Sequence, residues 1–139
     1  MRALAILIAL SVGLAFIAVA SPVRADDTAD AQTIIRSQVE AFIRGDAAAA
    51  YSHAAPGIRS VFTQSDVFMG MVTKNYPPIV RHRSFEFGKA QASGDIVAQA
   101  VRIIDDEGVP WQALYTLEKQ PDGSWKITGC SLQKVGEAA

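Results

Sequence analysis

The 139-residue sequence contains one cysteine, Cys130. A single thiol excludes a disulfide within the chain, so the fold must rest on its apolar core. The only histidines are His53 and His82, and neither lies near the cysteine in sequence. No metal-ligand spacing can be drawn from these three residues. A glycine-rich phosphate loop, a Gly-x-Ser-x-Gly elbow and a Cys-x-x-Cys pair are all missing. Basic residues are not in excess, with 13 Lys+Arg against 14 Asp+Glu. That balance argues against nucleic acid as a partner, which would demand a basic stripe. No cofactor and no metal are implied.

What is present begins with a hydrophobic run. Arg2 precedes Ala3–Ala20, which is apolar apart from Ser11 and Gly13. Ser21-Pro22 breaks the run and Val23-Arg24-Ala25 closes it in a small-x-small pattern. This predicts a secretory signal peptide over residues 1–25, cleaved after Ala25. The alternative is an uncleaved anchor, since the run is just long enough to span a bilayer. Cleavage would leave a single exported domain, residues 26–139, periplasmic or extracellular and without a stable membrane anchor. Setting aside Arg2 and Arg24, that domain carries 11 basic and 14 acidic residues. It is large enough to bury a core of its own.

The pattern changes period once, at Tyr76-Pro77-Pro78. Before it, apolar residues recur at helical spacing. Ile35, Val39, Phe42 and Ile43 share one face of a first helix capped near Asp27-Thr28 and stopped at Gly45. Asp46 caps a second helix over Ala47–His53, and Pro56 opens a third over Pro56–Phe62. Ser65 or Thr63 caps a fourth, with Val67, Phe68, Met71 and Val72 as its stripe. The proline pair then ends helix formation.

After it, four strands are predicted. Arg83–Ala92 alternates around Phe85 and Phe87, and Ile96–Ile104 has apolar residues on both parities, as a strand covered on both faces would. Trp111, Ala113, Tyr115 and Leu117 form one face of the third strand. Gln120-Pro121-Asp122-Gly123 is a hairpin turn, and the last strand, Ser124 to Lys134, carries Trp125, Ile127 and Gly129 on one parity. The short connections require antiparallel neighbours. The reading is α+β: N-terminal helices packed on a curved four-stranded antiparallel sheet. Gly136–Ala139 reads as a frayed tail.

Helices followed by a sheet that ends in Asp122-Gly123-Ser124-Trp125-Lys126-Ile127 resemble the nuclear transport factor 2-like cone fold. The chain is more closely similar to the domain of unknown function 4864 family of exported bacterial proteins. The matching stretches are Ile34–Tyr51, Ala55-Pro56-Gly57-Ile58 with Phe62, Phe68–Val72 with Tyr76-Pro77, and Ala113-Leu114-Tyr115 through Trp125, Gly129 and Cys130. The resemblance implies a cone-like fold and an extracytoplasmic location. It carries no known activity, so no catalytic residue transfers from it.

A cone of helices over a sheet encloses a pocket. Catalysis there needs a carboxylate or histidine with a tuned pKa, plus an acid or oxyanion donor. Asp46 is explained by capping. Glu86 faces away from Phe85 and Phe87, and His53 fits a helix terminus as well as a general base. Arg81-His82-Arg83 is either an anion clamp or a solvated strand start. Trp111, Tyr115 and Trp125, with Phe42, Phe62 and Phe68, read as core rather than as a ligand stack. Cys130 reads as a buried structural thiol, against a reactive or chain-pairing one.

The candidate ligand-binding residues are therefore Tyr51, His53, Tyr76, Arg81, His82, Arg83 and Tyr115. The expected function is non-catalytic binding of a small apolar ligand or a protein partner. The alternatives are an isomerase, dehydratase or hydrolase, and a module that forms a homodimer through the sheet's open face.

Overall fold

In the computed structural model, residues 24–136 are described, so residues 1–23 of the predicted signal peptide and the last three residues of the tail lie outside them. The first helix, α1 (Arg24–Ile43), spans 20 residues. It buries Ala31, Ile35, Val39 and Phe42 along one stripe and packs across β1, β2 and β4 (His82–Ser93, Ile96–Asp105 and Trp125–Lys134). It begins before the predicted cap. Asp26 and Asp27 lie in its first turn, where carboxylates favour the positive end of the helix dipole. Gly45, at φ 74°, takes the left-handed turn that ends it.

Asp46 caps α2 (Ala47–Ser52) as predicted, its carboxylate accepting from Ala49 N at 3.0 Å. A cap of this kind contributes about 1 kcal/mol. Next comes a point of contact with the sheet: Ile127 N donates to His53 O and Ala55 N donates to Ile127 O, both at 2.8 Å. Pro56 then opens α3 (Pro56–Val61). The helix α4 (Ser65–Asn75) departs from expectation at its start. Gln64 occupies the cap position, and neither Thr63 nor Ser65 caps the helix with its side chain.

The proline pair also behaves differently. It ends α4, but Pro77 starts a further single turn, α5 (Pro77–Val80). Proline is tolerated there because first-turn amides have no intrahelical acceptor. Proline at that point stops one helix and starts another.

The sheet is an antiparallel meander in the order β1-β2-β3-β4, with β3 at Pro110–Lys119. It is curved and does not close. Val97, Val101 and Ile103 of β2, Ala113, Tyr115 and Leu117 of β3, and Trp125 and Ile127 of β4 face the helices. The expectation that β2 is covered on both faces fails. Its other parity lies on the open side, where Ile96 is 47% exposed and Ala98, Ala100 and Ile104 are half-buried.

Two bulges shape the inner face. Gly88 and Lys89 together oppose Ala100. Gln99, fully buried, donates from Nε2 to Ala100 O at 2.7 Å and Gly88 O at 3.1 Å and accepts from Gln32 at 2.9 Å. Its amide supplies donors to carbonyls at the irregularity. In β4, Ile127 pairs with Leu117 and Gly129 with Thr116, leaving Thr128 as the extra residue. The parity therefore switches. Cys130 pairs with the inward-facing Tyr115 and packs against the core with Leu132, in place of the Gly129 parity that strict alternation predicts.

Candidate functional site

The helical layer and the sheet do not close completely on each other. Between them lies a cavity of about 220 Å³. Phe42 and Gln38 of α1 border it, with Phe68, Met71 and Val72 of α4. Tyr115, Ile127 and Cys130 form its sheet side. None of the residues that line it carries a charged side chain.

The aromatic wall follows from local sequence. Phe68 sits at the centre of a cluster, with ring centroids 5.9 Å from Phe42, 5.8 Å from Tyr51 and 6.2 Å from Phe62. Tilted pairs at such separations are favourable beyond the area they bury. Tyr51 supports this wall from behind. Its hydroxyl donates to Phe62 O at 2.7 Å, and the Arg59 guanidinium lies 4.7 Å above its ring. It thereby ties α2 to the end of α3, and it is not among the residues lining the cavity.

Tyr76 stands at the rim. Its hydroxyl donates to Cys130 O at 3.2 Å, linking the end of α4 to β4. On its far side is an open groove of about 630 Å³ bordered by Pro77, Arg81, Asp105, Trp111 and Leu132. Tyr76 and Cys130 border both spaces and form the wall between them.

Of the sequence-predicted residues, Tyr76 and Tyr115 therefore meet at the cavity. The basic cluster does not converge. Arg81 is exposed on the groove. His82 Nδ1 lies 3.0 Å from Ile79 O, and its ring packs 5.3 Å from Phe85. Arg83 donates to Asp106 O at 2.8 Å, on the β2–β3 turn. Strand alternation, together with the register shift between His82 and Ser84, sends three consecutive residues to three places. A joint anion clamp is not formed.

His53 lies at the C-terminal end of α2, outside the cavity. Burial, and then the nearby Lys126 and Arg44 charges, hold its pKa below the ordinary histidine value. The cation expected to favour a helix terminus is thus disfavoured there. Asp46 caps α2, and Glu86 is exposed on the open face opposite Arg102. Neither lines the cavity. Among the described residues no group of three His, Cys, Asp or Glu could hold a metal ion.

Gln38 was missed by sequence reasoning, and Met71 was read only as part of the apolar stripe of α4. For Gln38 a signal exists, because it lies three residues after Ile35 and four before Phe42, on the buried stripe. It is 3% exposed and donates to Ala50 O at 3.1 Å.

Burial shifts two of the titratable groups that border the cavity. Burial pushes the Cys130 thiol up to about 12. Burial first, and then Cys130, raise Tyr115 well above the ordinary tyrosine value. Both are neutral at physiological pH, so the cavity holds no charge of either sign.

Helices laid over a curved, open antiparallel meander with an apolar chamber between them make up the nuclear transport factor 2-like (NTF-2-like) fold. An NTF-2-like protein of unknown function from Silicibacter pomeroyi superposes with a TM-score of 0.57 at 17% identity, covering 81% of this chain and 98% of that one. A second, from Shewanella baltica, gives 0.54 at 8% identity, covering 84% and 100%. A ketosteroid isomerase-like protein from Erwinia carotovora gives 0.53 at 18%, covering 81% and 98%. At these identities the likeness is one of fold. No curated protein matches the sequence. Over residues 24–139 the sequence matches the domain of unknown function 4864 family (DUF4864), and the chain belongs to that family.

Proposed function

We propose that this chain is an exported binding domain that holds a small, largely apolar molecule between its helices and its sheet without transforming it. The 220 Å³ cavity carries this reading. An apolar cavity of about 150 Å³ is enough to bind benzene. By proportion, this one admits roughly nine non-hydrogen atoms. Asp46, His53 and Glu86 all lie outside its lining, which favours binding over acid–base chemistry. Export is supported by the hydrophobic run and small-x-small pattern of residues 2–25.

Native mass spectrometry of protein purified from the periplasm tests both parts. The expected species lacks residues 1–25 and carries extra mass lost under denaturing conditions. A ligand-free spectrum, together with no thermal shift across a panel of lipids and small metabolites, overturns the binding reading. A species still beginning at Met1 overturns the processing.

A second reading draws on the open face of the sheet. Ile96 and Leu114 are 47% and 45% exposed there, and Leu114 pairs with Ala100. An apolar strip of this kind suits a homodimer of the chain. A monomeric mass by light scattering at high concentration refutes it.

A further inference from the structure

A wall built almost wholly of carbon leaves few atoms able to discriminate between ligands. Tyr115 supplies one. It is 2% exposed, and among the described residues its hydroxyl is the one buried side-chain polar atom without a hydrogen-bond partner. Its nearest polar neighbour is the Cys130 thiol, a weak partner, and the oxygen and nitrogen groups around it are committed elsewhere. The Tyr76 hydroxyl donates to Cys130 O. The Cys130 thiol, brought alongside by the β3–β4 register, is directed toward Ser131 O at 3.8 Å. Gln38 gives an amide proton to Ala50 O.

An unbonded hydroxyl in a low-dielectric interior carries its full desolvation cost. A ligand that supplies the missing acceptor recovers that cost as affinity. The geometry points to Tyr115 Oη as the polar anchor of the cavity, donating to one carbonyl-type oxygen on a compact, uncharged, otherwise apolar ligand. This rests on the binding function proposed above and names its ligand class.

Three observations restrict the class. The phenol stays protonated, because burial opposes its ionisation, so it acts as a donor. No lining residue is charged, so a carboxylate would enter without a counter-ion. Arg81, which borders the neighbouring groove, does not line the cavity. The hydroxyl is itself covered by its surroundings. The adjacent Cys130 thiol turns about a single side-chain torsion, which provides the movement that admits the ligand oxygen.

Three probes of similar size separate the alternatives: acetophenone, its hydrocarbon analogue α-methylstyrene, and benzoate. Binding to the wild-type protein and to Tyr115→Phe is measured by calorimetry, and contacts to the Tyr115 ring are mapped by NMR on the wild type. Acetophenone is expected to bind about tenfold more tightly than α-methylstyrene, with benzoate weakest. Tyr115→Phe should erase the preference for the ketone and leave the hydrocarbon unchanged. Equal binding of the two neutral probes by both proteins overturns the anchor and leaves the binding function standing. So does an acetophenone complex without contacts to the Tyr115 ring. Preferential binding of benzoate overturns the uncharged class. No binding by any probe to the folded wild type overturns the binding function and the anchor with it.

Discussion

Tyr115 of β3 and Cys130 of β4 are cross-strand partners, and their side chains meet on the sheet side of the apolar cavity. The hydroxyl of one lies beside the thiol of the other, a weak sulfur partner at best, and the thiol is directed toward Ser131 O. The pair is neutral and polar, with Tyr115 buried and Cys130 half-buried, and several of the protein's measurable properties depend on it.

Removing the hydroxyl removes an unmet donor. Tyr115→Phe is expected to stabilise the ligand-free protein by about 1 kcal/mol. For a domain of this size that corresponds to a rise in Tm of roughly 4 °C. Thermal unfolding of ligand-free protein measures it. A fall in Tm would show that the hydroxyl has a partner in solution.

The Cys130 thiol is held at about 12 by burial, against about 8.5 for an exposed cysteine. At pH 8 its alkylation by iodoacetamide is expected to be slower in the native protein than in urea. The same shift makes stability fall as pH rises. The unfolded chain ionises its thiol from about pH 8.5, while the folded one holds its proton until near 12. Rapid native labelling at pH 8 contradicts the burial.

Gln99→Leu should cost about 2–3 kcal/mol, because it withdraws donors from the carbonyls of Gly88 and Ala100 and strands the Gln32 amide. Urea unfolding should show a lower midpoint with an unchanged slope. An unchanged midpoint would show that the β1 bulge does not depend on this side chain.

Asp105 accepts from Trp111 Nε1 at 2.9 Å and from the backbone amides of Val109 and Glu107 at 2.8 and 2.9 Å. The Trp111 bond is the largest influence holding its pKa below the usual aspartate value. Its contribution to stability is therefore fully present above about pH 4 and is lost as pH falls through the folded-state pKa. Asp105→Asn, which cannot accept from both the indole and the turn amides, should flatten the acid limb of a stability–pH curve. An acid limb identical to wild type removes Asp105 as its source.

Tyr76→Phe breaks the link to Cys130 O in the wall shared by cavity and groove. Association and dissociation of acetophenone should both accelerate, with Kd nearly unchanged. Stopped-flow fluorescence reads the two rates, and a change confined to dissociation would show Tyr76 to be a ligand contact instead.

Local patterns were legible where a single element decided the outcome. Trp111, Ala113, Tyr115 and Leu117 share one parity and lie on the packed face of β3. Asp46 after Gly45 both predicts and makes the cap of α2. The Gly129 parity failed because a bulge adds a residue that side-chain alternation cannot count, and Arg81-His82-Arg83 separate because they straddle the end of α5 and the start of β1. Gln38 shows the complementary limit. Its place on the α1 stripe was readable, but what it faces depends on how α1 and α4 sit above β3 and β4.

By itself, then, the sequence determined the order of elements, the antiparallel pairing and most of the core. Helical spacing, proline and glycine punctuation and short turns act within a few residues. Only the tertiary structure decided that an uncharged cavity separates the two layers, that Tyr115 lines it while the basic cluster does not, and that Tyr76 stands between it and the groove. Those outcomes depend on register, on the Thr128 bulge and on the fit of the helices to the sheet. All three are settled by contacts between residues far apart in the chain.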